Sequence, residues 1–128
     1  MRLLHLLSAL IISAPGILCA ESAEQAIYQK LVTGLHEEVR VLSSMVDEAS
    51  AKKELPALQK IIAELKALNE QADEQKLWSY IENTPEVKQP LLDEVELLFL
   101  ELQRIEKQKC FRVKPLEALL RPMLIPAS

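Results

Sequence analysis

Residues 23–49, AEQAIYQKLVTGLHEEVRVLSSMVDEA, decide the fold class. Their apolar positions Tyr28, Val32, Leu35, Val39, Leu42, Val46 and Ala49 are separated alternately by four and three residues. At 3.6 residues per turn that spacing draws one stripe down an α-helix and matches no strand period. Ile27, Leu31, Val41 and Met45 widen the stripe, so this helix is expected to touch two neighbours. Lys30, Glu37, Glu38 and Arg40 are predicted to fall mostly outside it, towards water. Gly34 costs about 1 kcal/mol relative to alanine in mid-helix, and would admit a second helix at close range.

Working outward, Asp47-Glu48-Ala49-Ser50 reads as a tight corner with Ser50 as the cap of the next helix. Pro56 lies too deep for a relaxed first turn, predicting either a helix that starts near it or a kink there. Leu58, Ile61, Leu65, Leu68 and Ala72 continue the helical stripe, which fades into a polar run from Asn69 to Lys76. Leu77-Trp78-Ser79-Tyr80-Ile81 is an aromatic cluster expected to plug a bundle end rather than to stack a ligand. Thr84 caps, and Pro85 opens, a third helix carrying Val87, Leu91, Val95, Leu98, Leu102 and Ile105, flanked by Leu92, Leu97, Phe99 and Leu100. Lys114-Pro115 opens a short last helix with Leu116, Leu119 and Leu120, stopped by Pro122.

Three substantial helices joined by short links predict an all-α fold: an antiparallel, coiled-coil-like, up-down-up three-helix bundle with a short C-terminal helix over one end. A long helical hairpin that dimerises into a bundle is the alternative. Two glycines in 128 residues agree with helices and short connections.

The first twenty residues read as a secretory signal peptide. Met1-Arg2 supplies a positive start, Leu3 to Leu18 is mostly apolar, and the chain turns polar at Glu21. Cleavage is placed after Ala20, with Cys19 the near alternative. A lipid on Cys19 is disfavoured, because a lipobox requires a small residue where Leu18 stands. Residues 21–128 are then a single exported helical domain, periplasmic or extracellular, with 105–128 as a candidate semi-independent tail.

Charge is unevenly spread. Arg104, Lys107, Lys109, Arg112, Lys114 and Arg121 face only Glu106 and Glu117 across residues 104–121, whereas residues 21–103 are strongly acidic. Cations favour helix C-termini, so a solvated tail is the first explanation and a basic patch the second. With neither glycine-rich nor aromatic interleaving, nucleic acid is not an expected partner. Cys110 is the sole cysteine after residue 19, leaving a buried thiol or an intermolecular disulfide as its alternatives.

Catalytic and cofactor patterns are missing. His36 is followed by Glu37-Glu38, but the second histidine of a zinc-protease helix is replaced by Arg40. There is no Cys-x-x-Cys pair, phosphate loop, nucleophile elbow or Glu-x-x-His pair. Glu37, Glu38, Glu94 and Glu101 are expected on solvated helix faces with partners such as Glu48–Lys52. No enzyme activity, cofactor, metal or small-molecule substrate is expected.

The layout resembles the periplasmic four-helix haem bundles in its size, Asp-containing corner and proline-marked crossover. Those proteins hold haem through a methionine near the start and a histidine near the end, or through Cys-x-x-Cys-His. Met45, Met123 and His36 match neither scheme, so haem is not implied. Val46-Asp47-x-Ala49-Ser50-Ala51-x-x-x-Leu55-Pro56 resembles a helix junction of small secreted bacterial helical proteins that lack an assigned function. That likeness implies a bacterial exported setting and no activity.

Three functions remain as expectations. The first is a non-enzymatic interaction or structural module that self-associates or binds a protein, acidic faces of one copy meeting basic ends of another. The second is a peripheral envelope or membrane-associated protein, using Arg104, Lys107, Lys109, Arg112 and Lys114 with Leu116, Leu119 and Leu120. The third is a ligand carrier within the bundle.

Overall fold

The computed structural model describes residues 23–124; the expected signal peptide and residues 125–128 lie outside that range. Within it the chain is all-helical: α1 (Ala23–Ser43), α2 (Glu48–Gln71), α3 (Glu74–Glu82), α4 (Pro85–Lys107) and α5 (Lys114–Leu124), with a short turn at Lys109–Arg112.

The corner after α1 is closed by side chains, but not as the sequence suggested. Asp47 is the cap of α2, accepting the Ser50 amide at 2.7 Å, while the Ser50 hydroxyl oxygen accepts the Asp47 amide at 3.0 Å. This reciprocal pair satisfies two amide donors that a helix start leaves unpaired. Ser50 therefore sits one turn inside the helix it was expected to cap. α2 runs through Pro56 without restarting, and the missing proline N–H falls on an exposed turn where water can serve the freed carbonyl. Thr84 precedes α4 without a side-chain cap bond, and α5 continues past Pro122 to Leu124.

The polar run after α2 hides a nine-residue helix. Asp73 accepts the Lys76 amide at 3.2 Å and starts α3, which buries Leu77 and Ile81 one turn apart. Tyr80 is half-buried and meets the Tyr28 ring edge-on, centroids 6.0 Å apart and planes at 70°. Trp78 does not plug the bundle end: it lies on the outer side of α3, 49% exposed, beside Glu74, Gln75 and Glu82.

α1 is the central element, packed against α2, α3 and α4. Gly34 lies against Leu65 of α2 so closely that an added Cβ would stand 2.5 Å from a Leu65 methyl. Towards α4, Tyr28 donates to the Val87 carbonyl, His36 reaches Glu94 at 3.0 Å, and Arg104 reaches the Met45 carbonyl at 2.9 Å. Both residue numbers rise together along these three contacts, so α1 and α4 run in the same sense.

Two apolar clusters form the core. Tyr28, Leu35, Leu77, Ile81 and Leu91 make the one near the start of α1. Val41, Leu42, Met45, Leu58, Leu102, Ile105, Cys110, Leu116 and Leu120 belong to the other. Along α1 the level between Leu35 and Val41 is occupied by Glu38, which is 2% exposed.

Candidate interaction surface

α4 has more apolar residues than its inner face can bury. Leu91, Leu102 and Ile105 are buried, and Val95 and Leu98 pack at the edge of the core. Leu92, Leu97, Phe99 and Leu100 are 45–56% exposed. At 100° per residue Leu92 and Phe99 lie on one side of Glu96, and Leu97 and Leu100 on the other, with Leu100 opposite the buried stripe and the other three at its flanks. The sequence shows these four residues as flanks of a stripe; it does not show that no further helix covers them. Exposed apolar side chains grouped on one helix mark docking surfaces on small soluble domains, and here Asp93, Glu96 and Lys107 stand among them.

The basic segment is divided between fold and solvent. Arg104 is half-buried and structural: Nη2 donates to the Leu42 carbonyl at 2.8 Å, Nη1 to Met45, and Nε to the Glu101 carboxylate at 2.8 Å. It closes the C-terminal end of α1, where carbonyls lack intrahelical donors. Lys107, Lys109, Arg112 and Lys114 are exposed. Leu116 and Leu120, counted as an apolar face for a membrane or partner, are fully buried in the core, and Leu119 packs against its edge. The segment thus offers cations without the apolar stripe expected beside them. No helix among the described residues is long and apolar enough to cross a membrane.

Cys110 is a free, buried thiol. Burial raises its pKa, and the carboxylates of Glu117 and Glu106 push it further in the same direction, so the reactive thiolate is disfavoured. The backbone around it is left-handed: Lys109, Cys110, Phe111 and Arg112 have φ of 51°, 53°, 53° and 64°. Non-glycine residues there cost on the order of 1–2 kcal/mol each. Burial of Cys110 and Val113 in the core offsets that strain.

Two carboxylates depart from the solvated placement expected of them. Glu38 is enclosed, its Oε1 has no hydrogen-bond partner, and burial lifts its pKa to about 7. Glu94 places Oε1 on His36 Nδ1 at 3.0 Å while Oε2 is buried without a partner. Glu37 and Arg40 are as expected, a solvated pair at 2.8 Å, as is Glu48–Lys52 at 3.0 Å. Among the described residues no three His, Cys, Asp or Glu side chains converge as a metal site would require.

A groove of about 700 Å³ lies between α1 and α2, floored by Gly34, Val41, Ile61 and Leu65 and rimmed by Lys30, Glu37, Lys60 and Glu64. Its floor is apolar, and its charged lining mixes both signs.

No protein-family model matches the chain, and no curated protein or solved structure matches it.

Proposed function

We propose that this chain is an exported, non-enzymatic helical interaction module whose working surface is the outward face of α4. The observation that carries it is the set Leu92, Leu97, Phe99 and Leu100, each close to half-exposed or more on one helix of a small domain. Covering what remains exposed offers about half of the roughly 1.5–3 kcal/mol that full burial of such a side chain supplies, a driving force for whatever covers them. In the proposed architecture α1, α2 and α4 form an up-down-up bundle, α3 interrupts the return to α4, and α5 closes one end. The Gly34–Leu65 approach and the matched register of α1 and α4 support it. Export rests on the signal-like residues 1–20, and the bacterial setting on the resemblance at the α1–α2 corner.

A photo-crosslinking amino acid in place of Phe99 tests the surface directly in the producing cell. Discrete covalent adducts are expected at position 99 and none at the exposed position Lys66 on α2. No adduct at 99, or the same adducts at both, would overturn the assignment.

A further inference from the structure

We infer that the partner of the α4 face is a second copy of this chain, docked antiparallel with the two-fold axis passing near Leu100; this rests on α4 being the working surface. The argument begins with spacing. Asp93 and Lys107 lie seven residues before and seven after Leu100. Seven residues are nearly two full turns, so Asp93, Leu100 and Lys107 share one outward stripe, the charges ~10 Å from the leucine on either side. All three are exposed. Asp93 accepts from Gln89 at 2.8 Å through one oxygen, and Lys107 makes no ion pair with any described residue.

An antiparallel pair centred on Leu100 therefore places Asp93 of each copy opposite Lys107 of the other. Leu100 meets its own equivalent between the two charge pairs. Leu97 and Phe99 flank that contact and exclude water from it. A parallel pair would set acid against acid and base against base. The surface is thus self-complementary in one orientation, as a two-fold interface requires.

Size sets the strength. α4 spans 23 residues, about 34 Å, and one helix face falls short of the roughly 800 Å² per partner of a standard interface. An interface of that size belongs with transient rather than obligate dimers.

Sedimentation equilibrium of the purified exported protein tests the inference through charge reversal at two exposed positions outside the core. Asp93→Lys alone, or Lys107→Asp alone, sets like charges against each other twice per dimer and is expected to weaken association about ten-fold or more. Combining them restores the pairs in reversed order and is expected to return affinity to within about three-fold of wild type, with helix content unchanged throughout. A double variant no tighter than either single overturns the antiparallel pairing. A wild-type monomer at every concentration, with position 99 crosslinked to a different protein, overturns self-pairing and leaves the α4 surface standing. No adduct of any mass at position 99 removes that surface itself.

Discussion

Arg104 of α4 donates to the Leu42 carbonyl at the end of α1 at 2.8 Å, tying together helices whose contact residues lie 62 positions apart in the chain. The same guanidinium reaches Met45 and Glu101, so its planar fork joins a helix terminus, the following loop and a carboxylate. A residue that reads as part of a basic patch is thereby part of the framework.

Arg104→Ala is expected to lower stability by about 1–3 kcal/mol, because two carbonyls lose charge-assisted donors at a partly buried end. Arg104→Lys should recover only part of this, since one ammonium cannot reproduce the fork. Urea denaturation checks both; a neutral Arg104→Ala would show that water caps α1 equally well.

Glu38 makes the fold sensitive to pH. Its folded pKa is raised to about 7 from an ordinary value of 4.5, so the folded state binds the proton more tightly than the unfolded one. The stabilisation is fully present below about pH 4.5 and is lost as pH rises to 7 and beyond, on the order of 2–3 kcal/mol in all. Glu38→Gln should remove this fall between pH 5 and pH 8. Thermal melts across that interval check it, and an unchanged slope in Glu38→Gln would assign the dependence elsewhere.

Gly34→Ala should leave stability almost unchanged, as about 1 kcal/mol of helix propensity is set against displacement of the half-buried Leu65 side chain. Gly34→Leu cannot be absorbed by one rotamer change and is expected to cost about 1–3 kcal/mol. Comparing the two melting temperatures separates close helix approach from simple propensity.

The left-handed turn predicts a gain. Arg112 is exposed at φ 64°, so Arg112→Gly should relieve strain and raise stability by up to about 1 kcal/mol. A loss of stability would mean that the arginine side chain contributes more than its backbone costs.

Much of this was legible in the chain. The four-three spacing from Tyr28 to Leu42 placed α1, which ends at Ser43 and leaves Val46 exposed in the corner and Ala49 in α2, and Gly34 in mid-helix foretold the close contact that Leu65 provides. Other features were hidden for physical reasons. The α3 signal is one short cluster, Leu77 to Ile81, whose aromatics Trp78 and Tyr80 fall on different faces and blur any period, although Asp73 before Glu74 was a readable cap. Glu38 lies three and four residues before Val41 and Leu42, on their face, but a reading that counts only apolar residues sends a carboxylate to water. Nothing in Lys-Cys-Phe-Arg announces a left-handed turn, which tertiary packing imposes. The exposed face of α4 was written as extra leucines beside a stripe; only the placement of α1, α3 and α5 against it shows which of them remain uncovered.

The most direct measurement is the solution mass of residues 21–128 by light scattering over a wide concentration range, in reductant, beside the variant Phe99→Gln/Leu100→Gln. With Cys110 buried, reductant should be without effect. The wild-type mass is expected to rise towards twice that of one chain, while the variant stays monomeric with the same helix content. A variant that dimerises as well as the wild type would contradict the assignment of the α4 face.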